Sequence, residues 1–85
     1  MTKVQFNNNL IRFPNANNGR IVLRREAIIG YTIQEVGEHQ PKIYLNLHTG
    51  DGHWILFNDL ASIRTRELVE EMTEKLDKWL NGAPV

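Results

Sequence analysis

His48 and His53 stand on either side of a Thr49-Gly50-Asp51-Gly52 turn, with Asp51 between them. Imidazole and carboxylate are metal ligands. In a register with a four-residue loop the two rings would face each other, their Cβ atoms ~5 Å apart. That set offers two nitrogens and at most one carboxylate, short of a structural zinc site. His39 cannot complete it within one subunit, because a strand of about eight residues puts it ~25–30 Å from His48. No metal and no cofactor is expected.

Covalent and acid–base chemistry find no better footing. Ser62 is the sole serine and has no Gly-x-Ser-x-Gly around it. It lies on the approach to a helix, where a hydroxyl caps the first turn. The chain has no cysteine. Gly50 and Gly52 join strand to strand and do not open a helix, so they form no phosphate loop. Asp51 and Asp59 sit at opposite ends of one short strand, ~25 Å apart, too far to share a proton. The chain is not expected to be an enzyme.

Anion binding has a clearer basis. Arg20 and Arg24 alternate with Ile21 and Leu23 and should project from one strand face, with Arg12 on a neighbouring strand. Guanidinium groups grip phosphate or carboxylate through paired N–H bonds. Tyr31 and Tyr44 offer rings on which a base could stack. These five residues are the candidate ligand-binding set, for a nucleotide, a phospholipid headgroup or nucleic acid. The competing reading is cross-strand pairing with Glu26 or Glu35, or a basic strand that blunts an exposed sheet edge.

The elements that must hold these groups are mostly strands. Val4 and Phe6 alternate, Leu10 to Phe13 form a second run closed by Pro14, and Asn18-Gly19 signals a turn. Residues 1–18 therefore read as short strands, with a low-complexity arm as the alternative. Residues 20–25 read as a half-buried strand and residues 27–36 as another, with Arg25-Glu26 a kink between them and Gly30 marking a bulge. Residues 41–48 and 53–58 form a hairpin about Asp51-Gly52 or Gly50-Asp51-Gly52. One register brings Trp54 and Leu56 beside Leu45 and Leu47, and the other brings Ile55 and Phe57 there. Both pairs are apolar, so the run 54–57 is expected to be buried on both faces, as in a central strand. From about residue 65 to 81, Leu68, Val69, Met72, Leu76, Trp79 and Leu80 make one helical stripe against an acidic remainder. Ser62 or Thr65 can cap it, and Asn81-Gly82 with Pro84 ends it.

The whole is one domain of 85 residues with zero formal charge, so it is neither a polycation nor an acidic mimic. Charge is nonetheless segregated. Residues 1–42 carry six Lys/Arg and three acids, and residues 43–85 carry four and seven. No run approaches a membrane span. No signal-peptide pattern opens the chain, and a cytoplasmic location is expected.

The predicted class is α+β: an antiparallel sheet or partly closed barrel of about six strands, with one C-terminal amphipathic helix packed on it. One helix cannot cover both faces of such a sheet. Either the sheet curls and closes on itself, or a second copy covers the bare face. The order of elements resembles the pleckstrin-homology-like modules of bacterial and phage proteins. The likeness spans roughly Arg20 to Leu80 and rests on the Ile-Tyr-Leu-Asn-Leu…Asp-Gly-His-Trp-Ile-Leu-Phe hairpin leading into Glu-Leu-Val-Glu-Glu-Met. The chain has about one strand fewer than the seven usual there, and no functional residue is carried over. The expected function is a non-catalytic protein-interaction module that also self-associates as a homodimer. One version is a small phage- or mobile-element-encoded inhibitor of a host complex. The alternative is the anionic-ligand binder above.

Overall fold

The computed structural model describes residues 4–15 and 18–82. Among them are six strands and one α-helix, in the order β1 (Gln5–Phe6), β2 (Leu10–Pro14), β3 (Arg20–Arg24), a 3-10 turn (Arg25–Ala27), β4 (Ile28–Val36), β5 (Lys42–Thr49), β6 (Gly52–Leu60) and α1 (Ile63–Leu80). The class is the predicted α+β. The strands do not form one sheet, however, and do not close into a barrel. They divide into two antiparallel three-stranded sheets, β1-β2-β3 and β4-β5-β6.

The division falls at the predicted kink. Arg25–Ala27 turn the chain out of the first sheet, and the Arg25 amide donates to the Asn9 carbonyl at 2.7 Å. Each sheet then has one apolar face. In the first, Phe6, Ile11 and Leu23 lie side by side, as do Phe13 and Ile21. In the second, the inward set is Tyr31, Ile33, Ile43, Leu45, Leu47 and Phe57. Both faces and the helix residues Val69, Leu76 and Trp79 meet in one core. The chain's own first sheet thus supplies part of the cover for the second.

The β5–β6 hairpin settles the register in an unexpected way. Leu47 faces Trp54 but Leu45 faces Phe57, with a register shift between. A bulge at Leu56 puts two residues of β6 against one of β5. Leu56 and Phe57 both become buried, while Trp54 and Ile55 remain 40% and 45% exposed. The expectation that all four are buried in a central strand is therefore corrected. β5 is central, and β6 is an edge whose apolar run is divided by the bulge. The turn itself is Gly50-Asp51, since Thr49 pairs with Gly52. Gly30 does follow a bulge, at Ile29.

The helix begins at Ile63, two residues before the predicted start. The Ser62 hydroxyl caps it by accepting from the Thr65 amide at 3.0 Å, and the Thr65 hydroxyl donates to the Leu60 carbonyl at 2.6 Å. Gly82 ends it at φ +81°, while the predicted stop at Pro84 lies outside the described residues. At this same C-terminal end, the indole of Trp79 donates to the Asn7 carbonyl, and its ring meets Phe6 edge-on at 5.4 Å. The helix therefore fastens the first sheet to the second.

Gly37, in the β4–β5 connection, has φ +116°, and an added Cβ would lie 3.2 Å from both the Gln40 carbonyl oxygen and the Pro41 Cα. Backbone strain and steric crowding act together there. Gly37→Ala should cost about 1–3 kcal/mol, seen as a lower urea midpoint at unchanged denaturant dependence.

Candidate functional site

Three surfaces carry the residues that could do something. The first is the outward face of the β1-β2-β3 sheet. Cross-strand partners share a face, and the pairs Leu10–Arg24, Arg12–Val22 and Pro14–Arg20 all point outward. The fold thus brings Arg12, Arg20 and Arg24 together, with Arg12 diagonal to each of the other two, ~7–8 Å away. No acid occurs from Val4 to Arg24 in the sequence. Arg24 has an exposed partner in Glu26 at 3.5 Å. Among the described residues Arg12 and Arg20 have no ion pair, and the Nε of Arg12 is sealed with no acceptor.

The two tyrosines do not join them. Tyr31 lies on the inward face of the other sheet, beneath the helix, where its hydroxyl donates to Asp77 at 2.7 Å. Tyr44 pairs with Gln34 and Asn58 on that sheet's outward face. The five candidates are split over three faces: the arginines lie on the first sheet, and the β4–β5 register puts Tyr31 and Tyr44 on opposite faces of the second. The Asp77 hydrogen bond, then partial burial, then the carboxylate charge hold the Tyr31 phenol above its usual value near 10. A raised value means that the folded state keeps the proton longer than the unfolded state. The stability from this contact is present in full below about pH 10 and is lost as pH rises through the folded value. Tyr31→Phe should cost about 0.5–1 kcal/mol at neutral pH, since the pair faces solvent. That difference from the parent protein should vanish in alkali, as read by urea denaturation at both pH values.

The second surface is the outward face of β4-β5-β6. His48 and His53 are directly opposed, with ring centroids 5.8 Å apart, and His48 Nε2 lies 2.8 Å from the Thr32 hydroxyl. No group of three or more potential metal ligands occurs among the described residues. Asn46 is the central side chain, 4% exposed, and donates to Gln34 at 3.1 Å while its Oδ1 finds no partner. This face is mainly polar, which explains how it can remain uncovered.

The third surface is one the sequence pattern did not single out. Among the described residues β4 pairs on one side only, with β5. Along its other side runs a groove of about 570 Å³ between β4 and α1, lined by Ile33, Ile43 and Val69 with Glu35, Arg66 and Glu70. The Glu35–Arg66 ion pair, at 2.5 Å, bridges strand to helix at this groove. Ile33 is 52% exposed although it belongs to the inward-facing set. The alternation of β4 was legible, but which of its sides stays unpaired was not. No family model matches the chain, and neither the curated proteins nor the solved structures contain a match.

Proposed function

We propose that this chain is a non-catalytic protein-interaction module whose docking element is the free edge of β4, and that its first partner is a second copy of itself. The observation that carries this reading is a seven-residue stretch of regular strand, Gly30 to Val36, with unpaired backbone groups beside an apolar groove. An unpaired edge is a template for another strand. Protective features are few: the stretch contains neither lysine nor proline, its one charged residue, Glu35, is paired with Arg66, and its bulge lies before it at Ile29. The other edge of that sheet, β6, is interrupted in its middle by the Leu56 bulge.

The β4 sequence is self-complementary about Ile33. In an antiparallel pairing centred there, Ile33 opposes Ile33, Tyr31 of one subunit opposes Glu35 of the other, and Thr32 opposes Gln34. No like charges meet. Each Ile33 gains an apolar neighbour at the mouth of the groove, which favours pairing. Such a two-fold contact is isologous and closes at a dimer. The arrangement of two antiparallel sheets with a C-terminal helix also supports a pleckstrin-homology-like relationship, with six strands in place of seven.

Light scattering after size exclusion tests the reading. A two-chain mass at micromolar concentration is expected, with amide protection along residues 30–36 that diminishes on dilution. A single-chain mass at every concentration would remove self-pairing, and protection at β6 instead of β4 would move the docking edge.

A further inference from the structure

We propose that the outward face of the β1-β2-β3 sheet is a binding site for a phosphoryl group on a small molecule or lipid headgroup, gripped by Arg12 and Arg20. This site lies on a different sheet from the β4 edge, so it stands or falls independently of self-pairing.

Four observations converge. The three guanidinium groups share one face and, with Arg20 and Arg24 four residues apart, cover a strip only ~13 Å long. The strands that carry them contain no acid, and Arg12 and Arg20 have no ion pair among the described residues. Two positive charges on this face are therefore without an ionic partner among the described residues. A recess of about 400 Å³ lies between them, lined by Arg12 and Arg20 together with Gln5, Asn15 and Asn18. Its size falls in the range of small-ligand sites, about 300–1,000 Å³. Finally, Asn18 holds φ +62° beside Gly19, which sets the turn that brings its side chain to the rim of the recess with Arg20.

The donor set decides the ligand chemistry. A carboxylate is planar and is satisfied by one guanidinium fork. Two forks and three amide side chains, approaching from all three strands and the turn, suit a tetrahedral oxyanion with three free oxygens. Nucleic acid is the weaker fit. The face has no aromatic residue to stack a base, since Phe13 points inward and Tyr31 and Tyr44 lie on the other sheet. Three cations on a chain of zero net charge also give little attraction to a long polyanion.

The test is an NMR titration of ¹⁵N-labelled full-length protein with inorganic phosphate and with pyrophosphate, beside co-sedimentation with phosphatidylcholine vesicles with or without phosphatidic acid. Amide shifts should cluster at Arg12, Gly19 and Arg20, and binding should weaken as salt rises. Arg20→Ala removes an exposed side chain and should weaken binding about tenfold, the scale of one charge-assisted contact. Arg12→Lys keeps the charge but loses the fork and should weaken it severalfold. Both variants should keep the parent thermal midpoint and the parent oligomeric mass. Arg20-dependent binding of the soluble probes alone assigns a free phosphate, and Arg20-dependent sedimentation with phosphatidic acid assigns a headgroup. Failure of every probe to saturate, binding indifferent to both substitutions, or tighter binding of duplex DNA through the same resonances would overturn the proposal.

Discussion

Replacing Trp79 by alanine should destabilise the fold by about 3–5 kcal/mol, the cost of deleting a buried indole. Among the described residues Trp79 ties several parts together. Trp79 is 2% exposed, packs edge-on against Phe6 of β1, donates to the Asn7 carbonyl in the β1–β2 turn, and offers its own carbonyl to Arg25 at 3.5 Å. Its loss would open a cavity where the helix, the first sheet and the inter-sheet turn meet. Domains of this size are stable by only about 5–15 kcal/mol, so the variant should be close to its unfolding transition at 37 °C. Trp79→Phe separates the terms: it keeps an aromatic ring but leaves the Asn7 carbonyl unpaired, at about 1–2 kcal/mol. Trp54, at 40% exposed, serves as the internal control, and Trp54→Phe should move the urea midpoint little. A midpoint for Trp79→Ala near that of the parent would mean that the helix C-terminus does not anchor the first sheet.

The second large effect is on association. Ile33→Lys should convert a two-chain species to a single chain, raising the dissociation constant at least ~100-fold. In the proposed pairing residue 33 sits on the two-fold axis, so the substitution sets two ammonium groups opposite each other, a repulsion of several kcal/mol at an interface. Because Ile33 is half exposed in one chain, the same change should leave single-chain stability within about 0.5 kcal/mol. Ile29→Lys is the matched control. That residue is 75% exposed but lies in the bulge before the regular edge, so its substitution should leave the mass at two chains. If both lysine variants remain two-chain species, the contact lies elsewhere.

Local rules placed the strands within a residue or two, the kink at Arg25-Glu26, the bulge near Gly30 and the helix stripe, because each depends on side-chain periodicity or on a backbone preference carried by the residue itself. The shared face of Arg20 and Arg24 was legible for the same reason, since alternation is a property of a strand, whereas the β2–β3 register was needed to put Arg12 on that face. The bulge at Leu56 was not. The run Trp54-Ile55-Leu56-Phe57 is apolar throughout, so no alternation marks the step where the register slips, and only packing against Leu45 and Leu47 selects it.

The amino-acid order alone determined the elements, their sequence and the acid-free first strands. Tertiary structure alone decided that six strands divide into two sheets, that Tyr31 is held by Asp77 while Tyr44 faces away, and that β4 keeps an open side next to a groove. The physical reason is range. Periodicity and turn preference act over a few residues, whereas sheet partition, edge exposure and the Trp79 anchor depend on which apolar faces find one another across 30 to 70 residues of chain, a choice made by burial and shape that no local pattern encodes.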